Sequence, residues 1–221
     1  MRIAVTGARG QLGTAIVREL SRAHDVSALD HGALDIADDR AVHDVMARLR
    51  PGAIVNCAAY TDVDGAEDHP VEALNANAFA VRALARAAAE QGAALVHYST
   101  DFVFDGAASR PYTEDDPPNP RSTYAASKLF GEWFAADAPR AYVLRVESLF
   151  GAADGPPRGS VAGIVARLVA GQEVRAFADR TVSPTSVVDA AAATRALLER
   201  ELPGGVYHCV SSGHCTWYEF A

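Results

Sequence analysis

The chain has 221 residues, of which 49% are apolar and 22% charged, a balance that argues against a disordered, collagen-like or disulfide-scaffold protein. Its 20 basic and 28 acidic residues give a formal net charge of −8. Nucleic acid and anionic membranes are therefore not expected as partners, because binding either one needs a basic face.

The cysteines and the apolar runs bear on the cellular compartment. Cys57, Cys209 and Cys215 include no C-x-x-C pair, so neither a disulfide framework nor a zinc cluster is indicated. No apolar run approaches the ~20 residues of a membrane span, and the sequence starts with a strand-like segment instead of a signal peptide. We therefore expect a soluble cytoplasmic protein.

Strand and helix patterns alternate along the first 150 residues. Apolar runs without alternating polarity predict buried parallel strands, and apolar residues recurring every three to four positions predict helices. The predicted strands are Arg2–Thr6, Val26–Leu29, Ala53–Cys57, Ala94–Ser99 and Ala141–Val146, and the predicted helices are Gln11–Arg22, Asp38–Leu49, Val71–Gln91 and Ser122–Ala136. This order predicts an α/β fold, a doubly wound parallel sheet of the Rossmann type with helices on both faces.

Two segments rich in proline or glycine interrupt this pattern. Asp101–Pro120 holds four prolines and is predicted to be a loop that borders a site, and Gly151–Gly159 is predicted to be a second loop. The α/β rhythm weakens after the second loop. The elements predicted there are helices Val161–Ala170 and Val188–Glu199, extended pieces near Val174 and Val182, and a strand Val206–Val210.

A glycine-rich turn follows the first predicted strand and opens the first predicted helix. Gly7, Gly10 and Gly13 lie in TGARGQLG, where a tight turn without side chains would bring backbone N–H groups to a dinucleotide pyrophosphate. The spacing is G-x-x-G-x-x-G, which differs from the usual G-x-G-x-x-G, and a well-packed strand–helix connection is the alternative. We expect a dinucleotide cofactor at this turn.

The end of the second predicted strand carries the next candidates. Asp30 lies 23 residues after Gly7, close to the ~20-residue offset of a carboxylate that accepts the adenosine ribose hydroxyl and favours NAD. Arg9 and His31 could instead attract the 2′-phosphate of NADP, so both cofactors stay open. Asp35 is a further candidate, with the cap of a turn as its alternative role.

Tyr124 and Lys128 form the strongest chemical signal. Residues four apart share one face of a helix, and Lys128 is the only lysine of the chain. A tyrosine is a poor acid or base at neutral pH because its pKa is ~10, and a nearby ammonium lowers that value toward useful acid–base work. We therefore expect a catalytic pair in which Lys128 tunes Tyr124.

Ser99, Thr100 and Asp101 stand at the carboxyl end of the fourth predicted strand. Ligands of parallel sheets bind at such ends, so a hydroxyl here could hold a substrate carbonyl beside Tyr124. A helix or turn cap is the alternative role of these residues.

Several segments together resemble a known family. In order and spacing, TGARGQLG, NCAAYTDVDGAE, HYSTDFVFDG, YAASKLFGE and SPTSVVDAA resemble the extended short-chain dehydrogenase/reductases, and more narrowly the dTDP-4-dehydrorhamnose reductase family. The resemblance runs over nearly the whole chain. It implies an oxidoreductase that uses NADPH or NADH to reduce the 4-keto group of a nucleotide-linked deoxysugar, as in dTDP-L-rhamnose biosynthesis. It also implies a monomer or homodimer.

The resemblance assigns individual residues as well. It implies that Tyr124 delivers a proton to the 4-keto oxygen, that Lys128 holds the nicotinamide ribose, and that Thr100 polarises the carbonyl. Asp101 falls on a substrate-side position next to Thr100 and Tyr124. The implied cofactor-binding positions are Gly7, Arg9, Gly10, Gln11, Leu12, Gly13, Asp30, Asp35, Ile36, Ala58, Ala59, Tyr60, Tyr98 and Lys128. The implied domains are a dinucleotide-binding domain over residues 1–150 and a partial substrate-binding region over residues 151–221.

The sequence departs from the family pattern at two places. Ser148 stands where family members often carry a Trp against the sugar, and Ala15 supplies no carboxylate for a metal-linked dimer, so no metal site is expected. The exact sugar stays open, with Arg145, Arg180 and Pro184–Thr185 as candidates for lining its pocket. The alternative functions are a non-catalytic or regulatory NADP-binding subunit and a nucleotide-sugar epimerase or dehydratase.

The last residues carry a helix-start signal. Thr216, with Glu219 three residues later, has the form of a capping box. The helix so begun would have about five residues, whereas isolated helices shorter than ~12–15 residues are marginal in water. Because family members continue further, we expect a truncated chain that lacks part of the substrate-binding region.

Overall fold

A computed structural model describes residues 1–152 and 159–221. Its strands are β1 (Arg2–Thr6), β2 (Asp25–Leu29), β3 (Ala53–Asn56), β4 (Ala94–Thr100), β5 (Arg140–Val146), β6 (Leu149–Phe150), β7 (Thr181–Val182), β8 (Thr185–Ser186), β9 (Gly205–His208) and β10 (Cys215–Thr216). Six of them form a parallel sheet in the order β2-β1-β3-β4-β5-β9. This confirms the predicted doubly wound sheet.

Helices cover both faces of this sheet. They are α1 (Gln11–Leu20), α2 (Asp39–Leu49), α3 (Gly65–Asp68), α4 (Pro70–Leu74), α5 (Ala80–Gln91), α6 (Thr123–Ala135), α7 (Gly159–Val169), α8 (Val187–Glu199) and α9 (Trp217–Phe220). One apolar core lies between the sheet and helices α1 and α8, and a second lies between the sheet and helices α2, α5 and α6. The helix predicted over Val71–Gln91 contains a π-helical turn at Asn75–Phe79.

Local sequence explains where several helices begin and end. Asp38 caps α2, its side chain accepting from the backbone N–H of Ala41 at 3.0 Å, and Ser122 caps α6 in the same way through Ala125 at 3.1 Å. Helix α5 ends at Gly92, whose φ of +64° is the left-handed conformation that glycine adopts without steric cost. These boundaries lie within two residues of the predicted ones.

The order of the strands creates a crevice beside β1. The chain passes from β1 to β2 on one side and continues with β3, β4 and β5 on the other side. The connections after β1 and β3 therefore leave the sheet toward opposite faces at neighbouring carboxyl ends, which is where ligands of open parallel sheets bind.

The proline-rich segment from Asp101 to Pro120 is irregular except for one 3₁₀ turn at Asp101–Val103, as predicted. Side chains brace it internally. Asp105 accepts from the hydroxyl of Tyr112 at 2.6 Å and from the amide of Asn119 at 2.8 Å, and these bonds lower the pKa of Asp105 to about 2. The loop therefore holds its shape next to the end of β4.

The C-terminal third of the chain is joined closely to the main sheet. Strand β9 pairs with β5, α8 packs against α1, and two small pairs form between β6 and β8 and between β7 and β10. The piece near Val174 forms no strand among the described residues, and most of the loop predicted at Gly151–Gly159 lies outside them. Thr216 and Glu219 form the predicted capping box at α9.

In the part of the chain that the structure describes, no helix has the length and apolarity required to cross a membrane.

Candidate active site

The glycine turn between β1 and α1 closes against the end of β3. Gly7 has a φ of +64°, and a Cβ there would lie 2.6 Å from the backbone nitrogen of Ala58. A Cβ at Gly13 would lie 2.1 Å from the carbonyl oxygen of Gly7. Gly10 stands at the N-cap position of α1 and has no side chain to accept from the first N–H groups of the helix. The turn is therefore bare and presents a helix N-terminus, which fits a pyrophosphate.

The two rival candidates for the adenosine end are in contact with each other. Arg9 Nε lies 2.9 Å from Asp30 Oδ2, with the Arg9 side chain 86% exposed and the Asp30 side chain 27% exposed. The other oxygen of Asp30 accepts from the backbone N–H of Ala33 at 2.9 Å. Asp30 is thus held in place at the mouth of the crevice, while Arg9 can turn toward a ligand.

Residues 58–60 continue from β3 along the crevice and are tied to the helices behind them. The amide of Asn77, in the π-helical turn, donates to the carbonyl of Tyr60 at 3.0 Å and accepts from its N–H at 2.9 Å. The same amide donates to the hydroxyl of Ser127 on α6 at 3.0 Å. Asn77 is almost fully buried, so its two partners are fixed relative to each other.

Lys128 projects from α6 toward the end of β4. Its ammonium donates to the carbonyl oxygen of Tyr98 at 2.5 Å, and the residue is 3% exposed. Burial lowers the pKa of Lys128 to about 8, although the nearby Glu132 carboxylate and Cys57 act in the opposite direction. The chain therefore keeps a single buried ammonium beside the crevice, as the sequence predicted for this position.

Tyr124 lies one turn before Lys128 on α6 and meets the residues that follow β4. The Thr100 hydroxyl is close enough to Tyr124 to act on the pKa of the phenol, and it donates to Asp101 Oδ1 at 2.9 Å. The ring of Phe102 packs edge-on against Tyr124, with the ring centroids 6.1 Å apart. Thr100, Asp101 and Tyr124 thus lie together at the end of β4.

The expected tuning of Tyr124 by Lys128 is wrong for this arrangement. Burial and the neighbouring Asp101 carboxylate raise the pKa of Tyr124 to about 12, and only the Thr100 hydroxyl acts to lower it. The ammonium of Lys128 is directed to the backbone of β4 instead. A phenol with this pKa stays protonated at neutral pH, which is the form that a proton donor needs.

Three residues from the sequence-based set have side chains that are engaged by other parts of the protein. The ring of Tyr98 lies in the core, where its hydroxyl is hydrogen-bonded to Thr194, and only its backbone carbonyl faces Lys128. Ile36 is buried in the core beside α2. Gln11 donates to the carbonyl of Gly151 at 2.9 Å and so links α1 to the segment after β6.

Arg145 is not a pocket residue, contrary to the expectation from the sequence. Its guanidinium makes a bidentate ion pair with Glu132 of α6, at 2.9 and 2.8 Å, and both side chains are about 5% exposed or less. Strand pairing places Arg145 opposite Ser99, whose side chain faces α6 and donates to Glu132 at 2.5 Å. The pair therefore fastens α6 to the sheet.

Sequence reasoning missed Glu147, which stands next to Ser148 on the turn between β5 and β6. Its carboxylate accepts from the backbone N–H of Ser183 at 2.8 Å. Burial and the Asp101 carboxylate raise the pKa of Glu147 to about 7. Ser148 has a φ of 45°, uncommon for a residue other than glycine. The sequence shows Glu147 beside Ser148, but it does not show that Asp101 is the neighbour of Glu147.

Comparisons with known proteins agree with this geometry. Residues 1–221 match the RmlD substrate binding domain family. A probable dTDP-4,6-dihydroxy-2-methyloxan-3-one 4-ketoreductase of Streptomyces antibioticus is 41% identical, over 100% of this chain and 75% of its own length. A dTDP-4-dehydrorhamnose reductase of Streptomyces griseus is 40% identical, over 98% of this chain and 73% of its own length. The crystal structure of dTDP-4-dehydrorhamnose reductase from Bacillus anthracis in complex with NADP superposes with a TM-score of 0.94 at 35% identity, over 99% of this chain and 77% of that one.

Proposed function

This chain belongs to the RmlD substrate binding domain family, and from that premise we propose that it reduces the 4-keto group of a nucleotide-linked deoxysugar with NADPH or NADH. The observation that carries the proposal is the meeting of Thr100, Tyr124 and Lys128 beside the bare glycine crevice. A module that only bound a dinucleotide would have no need of a buried phenol beside a second hydroxyl at the substrate side.

Residues around the crevice would hold the cofactor. The N-terminus of α1 with Gly7, Gly10 and Gly13 would bind the pyrophosphate. Asp30 and Arg9 would meet the adenosine ribose, Ala58, Ala59 and Tyr60 would lie beneath the dinucleotide, and Lys128 would donate to the nicotinamide ribose. When bound, the reduced dinucleotide supplies the hydride that the carbonyl carbon accepts.

Tyr124 would complete the reduction by giving its phenolic proton to the carbonyl oxygen. With substrate bound, the hydroxyl of Thr100 would turn from Asp101 and donate to the same oxygen, which raises the electrophilicity of the carbonyl carbon. The carbonyl then becomes a secondary alcohol, having received the hydride at carbon and the proton at oxygen. The phenolate left on Tyr124 would then take a proton back from solvent.

The names of the relatives support the class of reaction, but they do not agree on the identity of the sugar substrate. One is named for a 4-ketoreductase and another for dTDP-4-dehydrorhamnose reductase, so reduction of a 4-keto dTDP-sugar is common to both names while the sugars differ. We assign dinucleotide binding to residues 1–150 and part of the sugar site to residues 151–221. Glu147 and Ser148 would face the sugar, which favours a polar contact over an aromatic one.

The test is turnover by the purified chain. With NADPH and a dTDP-4-keto-6-deoxysugar, we expect loss of NADPH absorbance and formation of an equal amount of dTDP-6-deoxyhexose. Binding of NADPH without turnover of any keto sugar would favour a regulatory subunit instead. Protein that purifies with tightly bound NAD and interconverts sugars without net oxidation of NADPH would favour an epimerase.

A further inference from the structure

The start of α6 is held from outside the helix by Glu67. One oxygen of the Glu67 carboxylate accepts from the backbone N–H of Thr123 at 2.8 Å, and the other accepts from the Thr123 hydroxyl at 2.7 Å. Thr123 is the residue directly before Tyr124. Ser122 caps the same helix through Ala125, so Glu67 adds a second, external anchor to a helix that is already capped.

Glu67 is connected in turn to the residues that line the crevice. It lies in the short helix α3, only seven residues after Tyr60. Asp62 closes this turn by accepting from the backbone N–H of Gly65 at 2.9 Å. A Cβ at Gly65 would stand 2.5 Å from an oxygen of Asp62 and 3.0 Å from the hydroxyl oxygen of Tyr60, so the turn is tightly packed. Residues 60–67, here called the bracing turn, therefore form a short hydrogen-bonded connection.

We propose that Glu67 is a positioning residue for Tyr124. By anchoring Thr123 to the bracing turn, it fixes the start of α6 relative to Ala58–Tyr60 and so sets where the phenol stands against the dinucleotide. This inference rests on the proposed function, because it assigns to residues 58–60 the place beneath the cofactor. Misplacing a reacting group by about 1 Å costs on the order of a hundredfold in rate, so such an anchor has a measurable effect.

The electrostatics of the contact support this role. A carboxylate at a helix N-terminus faces the positive end of the helix dipole. The two hydrogen bonds from Thr123 lower the pKa of Glu67, so the carboxylate is ionised throughout the neutral range. Glu67 is exposed, and its replacement should therefore cost little global stability. A change in catalysis can then be separated from unfolding.

Three variants at position 67 distinguish the effect of side-chain length from the effect of side-chain charge. Glu67→Ala removes both acceptors, Glu67→Asp keeps the charge but is one methylene too short, and Glu67→Gln keeps the reach and one carbonyl acceptor. We expect kcat to fall by about tenfold to a hundredfold in the Ala and Asp variants and by less than about threefold in the Gln variant, with KM for NADPH changing less than about twofold. Asp64→Asn, an exposed carboxylate of the same turn whose side chain does not cap α3, is the matched control and should behave as wild type.

Hydrogen–deuterium exchange supplies a readout that does not depend on turnover. The amides from Thr123 to Lys128 should exchange faster in Glu67→Ala than in wild type, both alone and with NADPH, while the melting temperature falls by only a few degrees. Unchanged kcat and unchanged exchange in Glu67→Ala would overturn the proposal, as would a Glu67→Gln variant no better than Glu67→Ala. If wild type reduces no sugar, the proposed function is wrong, and exchange with bound NADPH still tests the anchor.

Discussion

Replacing Arg145 with methionine is predicted to destabilise the fold strongly. The guanidinium and the Glu132 carboxylate have side chains that are 5% and 4% exposed and are joined by two hydrogen bonds. Arg145→Met leaves the buried Glu132 carboxylate without its bidentate partner, with the hydroxyl of Ser99 and the Lys128 ammonium nearby. Removing one partner of a buried pair costs about 3–5 kcal/mol, because the remaining ion has lost both water and its counter-charge.

The size of the pair's contribution can be separated from the cost of breaking it. Replacing both residues with methionine removes the buried charge, so Arg145→Met/Glu132→Met should recover at least half of the loss. Some loss remains, since the Ser99 hydroxyl then lacks its acceptor, at about 1–3 kcal/mol. Ser99→Ala in the double-variant background should recover part of this remainder.

Urea unfolding followed by circular dichroism measures these differences directly. The free energy of unfolding should decrease by about 3–5 kcal/mol in Arg145→Met, which for a chain of this size lowers the melting temperature by very roughly 6–20 °C. A double variant no more stable than Arg145→Met would refute the reasoning, because the loss would then come from packing and not from the unpaired charge.

Three further predictions follow from the crevice and its surroundings. Gly13→Ala would place a methyl group 2.1 Å from the carbonyl oxygen of Gly7, so the turn must open. Calorimetry should then show an NADPH affinity at least about tenfold weaker than that of wild type. An unchanged affinity would contradict the tight turn. Arg9→Ala should lower kcat/KM for NADPH by about tenfold while leaving kcat/KM for NADH within about twofold, and equal losses for both cofactors would argue against contact with a 2′-phosphate. Glu147 has a folded-state pKa of about 7, above its usual value of 4.5, so ionisation opposes folding as pH rises through that interval. Glu147→Gln, which retains the acceptor for Ser183, should therefore raise the melting temperature above pH 7 and leave it unchanged below about pH 4.5; a gain of equal size at both pH values would contradict this assignment.

The fold and the placement of Tyr124 and Lys128 on one helix could be predicted because their signals are local. The geometry of glycines between a strand and a helix depends only on a few neighbouring residues. The same holds for a tyrosine four residues before a lysine on one helix. The structure agrees that Tyr124 and Lys128 share a face of α6 beside the end of β4.

The predictions that failed concern contacts across the sheet. Arg145 was one candidate for lining the sugar pocket, yet its register opposite Ser99 turns it toward α6 and Glu132. Lys128 was expected to tune Tyr124, yet its ammonium reaches the Tyr98 carbonyl, 30 residues earlier. A one-residue change along a strand moves a side chain to the other face, and the sequence alone does not say which face meets which helix. The anchor at Glu67 was not visible in the sequence either, because its partner Thr123 lies 56 residues away along the chain.

The central claim is that Tyr124 donates the proton in a hydride reduction, and one comparison tests it most directly. Wild type and Tyr124→Phe are given NADPH deuterated at the transferred position and a dTDP-4-keto-6-deoxysugar, and the product is analysed for deuterium at C4. We predict deuterated product from wild type, unchanged NADPH affinity in Tyr124→Phe, and a turnover rate at least about a hundredfold lower in that variant. Turnover by Tyr124→Phe at the wild-type rate would contradict the account.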